Sequence, residues 1–220
     1  MSDKNMQIAH AAVPAHEALT RLRDGNARFV DGDRCIDTYL GHTKLDGHLG
    51  GQTPFAVVLG CSDSRVPVEI IFDVGLGDLF VIRVAGNIVA PSLIGSVELA
   101  ADKFGARLVV VLGHTGCGAI EATIAEVREP DENQSTHINA IVECVRPSVE
   151  QLLASGEGHD HDTLMAKAIR LNVKATVNGL LHGSETLERL IREQGLRVVG
   201  AEYSLETGVV DFFEGVGEPG

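Results

Sequence analysis

Three short runs of continuous apolar residues interrupt an otherwise mixed sequence. Such runs are typical of strands that are buried on both faces of a sheet, and they predict strands over residues 55–59, 79–84 and 107–112. Near the C-terminus, LRVVGAEYSLETGVVDFF predicts two further strands joined by a turn at Thr207–Gly208. We expect this pair to add an antiparallel strand at one edge of the sheet.

Helix-spaced apolar residues occupy the intervals between the predicted strands. Residues 14–31 carry Leu19, Leu22 and Phe29 at helical spacing, and Gly32 ends this N-terminal helical arm. Further helical segments are predicted over residues 66–74, 95–104, 119–129, 135–154 and 161–194. Strands that alternate with helices predict an α/β fold, in which helices cover both faces of a mostly parallel central β-sheet.

Length and charge restrict the organisation of the chain and its partners. The 220 residues predict one domain over residues 1–220, with a loose tail over residues 1–13 and a glycine-rich loop over residues 41–54. The formal net charge is −13 and no Lys/Arg cluster is present, so we expect no nucleic-acid partner and no membrane partner. The N-terminus lacks the apolar stretch of a secretory signal, which predicts a cytoplasmic protein.

Two segments share one arrangement, in which a buried strand is followed by a glycine and then by a potential ligand. VVLGCSDSR carries Cys61 after one strand, and VVLGHTGCG carries His114 and Cys117 after another. Because ligands bind outside the carboxyl ends of strands in an open α/β sheet, we expect these three side chains to meet. Two thiolates and one imidazole form a zinc ligand set with one position left open, which is the pattern of a catalytic zinc.

The residues beside this predicted metal centre leave room for other interpretations. Asp63 and Arg65 follow Cys61 in the same turn, where a guanidinium can bind a carboxylate through paired hydrogen bonds. GHTGCG could alternatively be a glycine-rich anion loop at a helix N-terminus, although it lacks the dinucleotide and Walker spacings. The remaining thiols, Cys35 and Cys144, are interpreted as small buried side chains.

CSDSRVPVE and HTGCGA resemble the two signature segments of the β-class carbonic anhydrases. The resemblance extends to LRDGNARFVDG, GDLFVIRVAGN and LRVVGAEYSLETGVV, and therefore covers most of the chain. It implies that Cys61, His114 and Cys117 bind one zinc ion per chain, and that a zinc-bound hydroxide reversibly hydrates carbon dioxide to bicarbonate. It also implies that Asp63 pairs with Arg65 and accepts a hydrogen bond from the metal-bound water.

The same resemblance implies a substrate pocket and an oligomer. Gln52 matches a glutamine that contacts substrate, Phe80 and Ala85 match apolar wall residues, and Gly118 is expected to offer its backbone N–H. In the family this pocket lies at a dimer interface, where the partner chain supplies the glutamine and the phenylalanine and is embraced by the N-terminal helix. We therefore expect a homodimer or a dimer of dimers.

Departures from the family pattern refine these expectations. Some bacterial members have a non-catalytic bicarbonate pocket that includes a tryptophan, and this chain has Val58 at that position. We therefore predict no such pocket and a likeness to plant-type members. Arg83 nevertheless matches the arginine of that pocket. Leu99 stands where the family often has tyrosine. A further hypothesis from the family is that breaking the Asp63–Arg65 pair lets Asp63 close onto zinc as a fourth ligand.

The chemistry of a two-thiolate site makes a further prediction and leaves alternatives open. Two thiolates nearly cancel the charge of zinc, so activity is expected to rise above neutral pH. The proton carrier stays open among eight histidines: His10, His16, His42, His48, His137, His159, His161 and His182. Three other functions stay open: hydrolysis of carbonyl sulfide or carbon disulfide, a zinc-bound structural or interaction module, and a phosphate-binding domain.

Overall fold

A sheet of five strands forms the centre of the computed structural model, which describes residues 12–33, 51–130, 134–156 and 160–217. The strands are β1 (Ala56–Gly60), β2 (Leu79–Arg83), β3 (Leu108–His114), β4 (Arg197–Tyr203) and β5 (Val210–Glu214). The α-helices are α1 (Ala15–Asp31), α2 (Val68–Ile71), α3 (Pro91–Lys103), α4 (Gly118–Arg128), α5 (Thr136–Ser155), α6 (His161–His182) and α7 (Glu185–Gln194). A 3₁₀ turn occupies Ala85–Asn87.

The strand order β2-β1-β3-β4-β5 brings β1 and β3, the two strands that precede the candidate ligands, side by side. The first four strands are parallel, whereas β5 pairs antiparallel with β4, as the sequence predicts. Gly60 of β1 lies opposite Leu112 of β3, so both strands end at the same edge of the sheet. Because β2 and β3 lie on opposite sides of β1, this edge contains a topological switch point, which is where open α/β sheets bind ligands.

Helices cover both faces of the sheet, which confirms the predicted fold class. Helices α1 and α2 bury Leu22, Ile71 and neighbouring residues against one face, and α3, α6 and α7 bury apolar residues against the other. A third cluster joins α4, α5 and α6 beside the carboxyl ends of β1 and β3, and contains Cys61 and Cys117. The candidate site is therefore surrounded by packed apolar side chains on its inner side.

Most predicted elements are confirmed, and the differences lie at their ends. Helix α1 ends at Gly32, whose φ of 73° suits a glycine C-cap. Helix α2 spans only four residues of the predicted 66–74 segment, whereas α3 begins earlier than predicted because Pro91 suits the first helical turn. Strand β3 extends to His114, beyond the predicted end at residue 112.

The predicted helical segment over residues 161–194 is two helices. Helix α6 ends at His182, and the Ser184 side chain accepts a hydrogen bond from Leu187 N at 3.0 Å to begin α7. The capping side chain satisfies a backbone donor that a continuous helix would have paired internally. Residues 1–11 of the predicted tail and residues 41–50 of the predicted loop lie outside the described residues.

None of the helices that the structure describes is both long and apolar enough to cross a membrane.

Candidate functional site

Three side chains with metal-ligating atoms meet at the carboxyl ends of β1 and β3. Cys61 directly follows β1, His114 is the last residue of β3, and Cys117 precedes the first residue of α4. Their ligand atoms all lie within 4.8 Å of one another, and the Cys61 and Cys117 Sγ atoms are 3.9 Å apart. Tetrahedral zinc with bonds of about 2.3 Å to sulfur separates two thiolates by about 3.8 Å, so the spacing fits zinc.

The imidazole of His114 is oriented for metal binding. Its side chain is fully buried, and Nδ1 lies 2.9 Å from the Thr115 carbonyl oxygen, to which it donates. Within the described part of the chain, Nε2 has no hydrogen-bond partner. Burial of a polar atom without a partner is unfavourable. In metal-binding histidines, one ring nitrogen usually donates to a carbonyl or carboxylate while the other binds the metal.

The two thiols differ in how readily they lose a proton. The hydrogen bond from Cys117 lowers the pKa of Cys61 to about 4, although burial opposes ionisation. The neighbouring Cys61 thiolate, together with burial, raises the pKa of Cys117 well above its ordinary value. Gly86 also donates its backbone N–H to Cys61 Sγ at 3.4 Å. The pair therefore gives up its first proton more readily than an ordinary thiol, and a metal ion would displace the second.

Asp63 and Arg65 form the bidentate pair that the sequence predicts. Asp63 Oδ1 accepts from Arg65 Nε at 3.0 Å, and Oδ2 accepts from Arg65 Nη2 at 2.8 Å. Arg65 holds the pKa of Asp63 well below its usual range, so the carboxylate stays ionised at neutral pH. Asp63 Oδ2 lies 4.0 Å from His114 Nε2, and the carboxylate therefore lies beside the candidate ligands.

Arg83 braces the turn that carries Cys61 and Asp63, a role that sequence reasoning did not identify. Its Nε donates to the Cys61 carbonyl at 2.9 Å, and its Nη2 donates to the Asp63 carbonyl at 2.5 Å. Arg83 ends β2 opposite Gly60 of β1, so the strand register explains how it reaches the next turn. The signal available in the sequence was its position at the end of the predicted strand.

The four predicted substrate-contacting residues fall into two groups. Ala85 begins the 3₁₀ turn that contacts Cys61 through Gly86, and Gly118 begins α4 directly after Cys117. Gln52, in contrast, is exposed and precedes β1, whereas Cys61 follows this strand. Phe80 pairs in register with Val57, and its ring lies 5.9 Å from that of Phe104. The length of β1 therefore separates Gln52 from the candidate ligands of the same chain.

The structure corrects one prediction about cysteines. Cys144 is exposed on α5, where its thiol donates to the Ala140 carbonyl. The buried face of this helix is formed by Val142, Val145 and Val149, and position 144 lies off that face. Cys35 lies outside the described residues.

The other positions singled out in the sequence have varied surroundings. Val58 is fully buried inside β1, whereas Leu99 is an exposed residue of α3. Four histidines on the list of proton carriers are exposed: His16, His137, His161 and His182. His10, His42, His48 and His159 lie outside the described ranges.

Comparisons with known proteins agree with this site. A family model described as carbonic anhydrase matches residues 56–210. A carbonic anhydrase of Mycolicibacterium smegmatis is 38% identical over 204 residues, covering 92% of this chain and 95% of the relative. A solved Coccomyxa β-carbonic anhydrase, in complex with acetazolamide, superimposes with a TM-score of 0.70 at 27% identity, covering 89% of this chain and 86% of that one. The chain belongs to the β-class carbonic anhydrases.

Further relatives of this carbonic anhydrase are bacterial and fungal. Carbonic anhydrase 2 of Mycobacterium tuberculosis is 37% identical over 191 residues, which are 87% of this chain and 89% of the relative. A structure of tetrameric β-carbonic anhydrases from Sordaria macrospora has a TM-score of 0.70 at 25% identity, covering 77% of this chain and 85% of that one. Reversible hydration of carbon dioxide is thus the reaction of this enzyme, while the likeness to plant-type members stays a prediction.

Proposed function

We propose that this carbonic anhydrase works with one zinc ion per chain, held by Cys61, His114 and Cys117. The observation that carries the proposal is the fully buried His114 Nε2, which has no hydrogen-bond partner in the described residues and lies with two thiols within 4.8 Å. The 3.9 Å between the sulfur atoms supports zinc in particular. Zinc in such a ligand set supplies the Lewis acidity that makes water nucleophilic near neutral pH.

Asp63 orients the reacting water in this proposal. Both of its oxygens accept hydrogen bonds from Arg65, which holds the carboxylate in one orientation beside the candidate ligands. Because its pKa is held well below the usual range, Asp63 stays an acceptor at neutral pH and does not store the departing proton. It therefore accepts a hydrogen bond from the O–H of the attacking water, which directs an oxygen lone pair of the water toward carbon dioxide.

The substrate pocket is proposed to form between two chains. Ala85 and Gly118 line it from the chain that supplies the ligands, and the space around Gly118 is open. The Gly118 N–H, in the first turn of α4, is available to donate to bicarbonate. Gln52 precedes β1 and Phe80 pairs with its second residue, whereas the ligands of the same chain lie past its far end. These positions support a contribution of both residues to a partner's pocket.

A homodimer or a dimer of dimers is therefore proposed for this enzyme. The tetrameric description of the Sordaria macrospora relatives supports this assembly. We also propose a cytoplasmic location, which the free thiols of Cys61, Cys117 and Cys144 favour because reducing compartments keep such thiols unpaired.

Stopped-flow hydration of carbon dioxide tests the proposed function. The zinc-loaded enzyme is expected to hydrate carbon dioxide with a rate that climbs between about pH 6.5 and about pH 9. Asp63→Ala should lower this rate by about 10-fold or more, because the water loses its orienting acceptor. Asp102→Ala is the matched control, since Asp102 forms a comparable carboxylate–arginine pair with Arg189 on the surface. Zinc bound without hydration at any pH would overturn the proposal, and carbonyl sulfide would be the next substrate.

A further inference from the structure

The 3₁₀ turn Ala85–Asn87 touches the candidate metal centre through a backbone group. The Gly86 N–H donates to Cys61 Sγ at 3.4 Å, although 25 residues separate the two in sequence. The turn has an unusual backbone, since Gly86 has φ 73° and Asn87 has φ 44°. Such conformations are costly for side-chain-bearing residues and persist where surrounding contacts hold them.

Neighbouring elements hold this turn closely. A Cβ atom at Gly86 would lie 3.2 Å from the Ala119 side chain, so the turn packs against α4 beside Cys117. Asn87 is buried, and among the described residues its Nδ2 has no hydrogen-bond partner. The side-chain amide of Asn87 therefore does not hold the turn, whereas its backbone N–H donates to the Val84 carbonyl at 3.1 Å.

Asn172 of α6 supplies a side-chain hydrogen bond to the turn. Its Nδ2 donates to the Gly86 carbonyl oxygen at 2.8 Å, and its side chain is only 2% exposed. The same helix packs against β3, where Val173 closely approaches Gly113, the residue before His114. Helix α6 thus contacts both the turn that donates to Cys61 and the strand that ends at His114.

We propose that Asn172 is a positioning residue for the metal centre, which holds Gly86 so that its N–H donates to the Cys61 sulfur. This inference rests on the proposed zinc function and extends it to a residue that contacts no ligand directly. A hydrogen bond to a ligating sulfur withdraws electron density from it and fixes its direction, and both effects are stronger in a buried site. Loss of the Asn172 amide leaves the Gly86 carbonyl without its side-chain donor. The backbone of Gly86 can then shift, and the N–H on the other side of its Cα atom moves away from the sulfur.

Substitution of Asn172 tests the inference with two readouts besides activity. Asn172→Leu keeps the branched shape but removes the donor, and Thr176→Val alters another buried polar residue one helical turn further along α6. Zinc affinity is measured by competition with a chromophoric chelator. The cobalt-substituted enzyme is measured by its sulfur-to-cobalt charge-transfer absorption, which reports the electron density on the ligating sulfurs.

Asn172→Leu is expected to weaken zinc binding by about 10-fold to 100-fold, the range seen when partners of metal ligands are removed. Its charge-transfer band should shift relative to the native enzyme, whereas Thr176→Val should leave both the affinity and the band unchanged. A native affinity and band in Asn172→Leu would overturn the inference. Equal changes in both variants would also overturn it, because they would show a general effect of altering buried groups on α6.

Two additions keep the test decisive. If Asn172→Leu does not fold, Asn172→Ser replaces it. The serine side chain is too short to reach the Gly86 carbonyl oxygen, to which Asn172 donates at 2.8 Å. A crystal structure of the native zinc enzyme in which Asn172 does not contact Gly86 would overturn the inference independently of any variant. Failure of the native enzyme to bind zinc would contradict the proposed function instead, so the two failures are distinguishable.

Discussion

His114 is fully buried, and within the described residues only one of its two ring nitrogens, Nδ1, has a hydrogen-bond partner. Burial of an unpaired ring nitrogen is unfavourable, so a chain that retains this arrangement gains if a cation binds there. The adjacent thiols also favour a cation, because the hydrogen bond from Cys117 lowers the pKa of Cys61 and so promotes the thiolate form that a cation binds. At the scale of single residues, the centre has the properties of a metal site.

Removal of one candidate ligand should weaken zinc binding, whereas removal of the third free thiol should not. Cys117→Ser is expected to lower zinc affinity by about 100-fold or more and to abolish hydration, because a hydroxyl is a poor zinc ligand. Cys144→Ser is the control, since Cys144 is an exposed free thiol on α5. Metal content after dialysis, measured by mass spectrometry, checks the expectation. Full zinc content in Cys117→Ser would contradict the assigned ligand set.

At the scale of elements, hydrogen bonds and an ion pair join the N-terminal arm α1 to distant segments of the same chain. Asn26 of α1 donates to the carbonyl of Gly208 at 2.9 Å and accepts from Val210 N at 2.8 Å. Arg28 pairs with the buried Asp73 at 2.6 Å, just after α2. The LRDGNARFVDG segment therefore joins α1 to a residue just after α2 and to the turn between β4 and β5.

Glycine 25 sets how closely α1 approaches the end of α2. A Cβ atom at Gly25 would lie 1.8 Å from the Phe72 carbonyl oxygen, so Gly25→Ala forces the helix outward. The expected destabilisation is about 1–3 kcal/mol, as for other overpacked sites. Gly95→Ala is the matched control, because α3 leaves open space there and the helix should gain about 0.5–1 kcal/mol. Urea unfolding at fixed zinc and protein concentrations measures both, and an unaffected Gly25→Ala would contradict the packing argument.

Glu202 links β4 to α6 and should give the protein a distinct pH dependence. Burial raises the pKa of Glu202 even though Arg170 donates to it at 3.0 Å. A folded pKa above the unfolded value of about 4.3 means that the native state binds more protons, so this group lowers stability as pH rises between the two values. Glu202→Gln removes that contribution. The free energy of unfolding of the variant, relative to that of the native enzyme, should therefore be higher at pH 7 than at pH 4.

Asp211→Asn is the control for this prediction. Asp211 also pairs with Arg170, at 2.9 Å, but its side chain is exposed on β5. Surface pairs contribute little, and Asp211 makes only a minor contribution to the raised pKa of Glu202. Its variant should therefore stay within about 0.5 kcal/mol of the native enzyme and show a smaller pH dependence than Glu202→Gln. Urea unfolding at the two pH values checks both variants. A Glu202→Gln difference that does not change with pH would contradict the burial argument.

At the scale of the whole molecule, the sheet places the candidate ligands at one end of β1 and two of the four predicted substrate residues toward the other end. Cys61 follows the strand, while Gln52 precedes it and Phe80 pairs with Val57 near its beginning. One chain therefore does not assemble the complete pocket that the family resemblance implies. A symmetric dimer, in which each chain lends these residues to the other, would complete two pockets at once.

Mixing two inactive variants tests this arrangement. Cys61→Ser lacks a metal ligand and Gln52→Ala lacks the predicted partner contribution, but their heterodimer would contain one complete pocket. Random mixing after co-refolding should therefore restore about a quarter of the native activity. Cys61→Ser mixed with Cys117→Ser is the control, because no pocket in that mixture has all three ligands. Recovery in neither mixture would contradict a shared pocket.

Much of the site could be predicted from the sequence because its signals are local. Apolar runs mark β1 and β3, and a glycine followed by a ligand recurs after each. Parallel strands that are neighbours end at one edge, so a local pattern sufficed to bring Cys61, His114 and Cys117 together. Asp63 and Arg65 are two residues apart, and their pairing needs no long-range information.

The tertiary structure decided what depends on contacts between distant segments. It determined the strand order and the exposure of Cys144, because each reflects which neighbour a segment packs against. The division of residues 161–194 at Ser184, in contrast, is a local cap that the apolar periodicity did not reveal. The hydrogen bond from Asn172 to Gly86 spans 86 residues of sequence. The sequence by itself thus determined which residues carry the chemistry, through local periodicity and spacing. Only the tertiary structure decided which residues hold them in place, because those hydrogen bonds form when α6, β1 and β2 pack together.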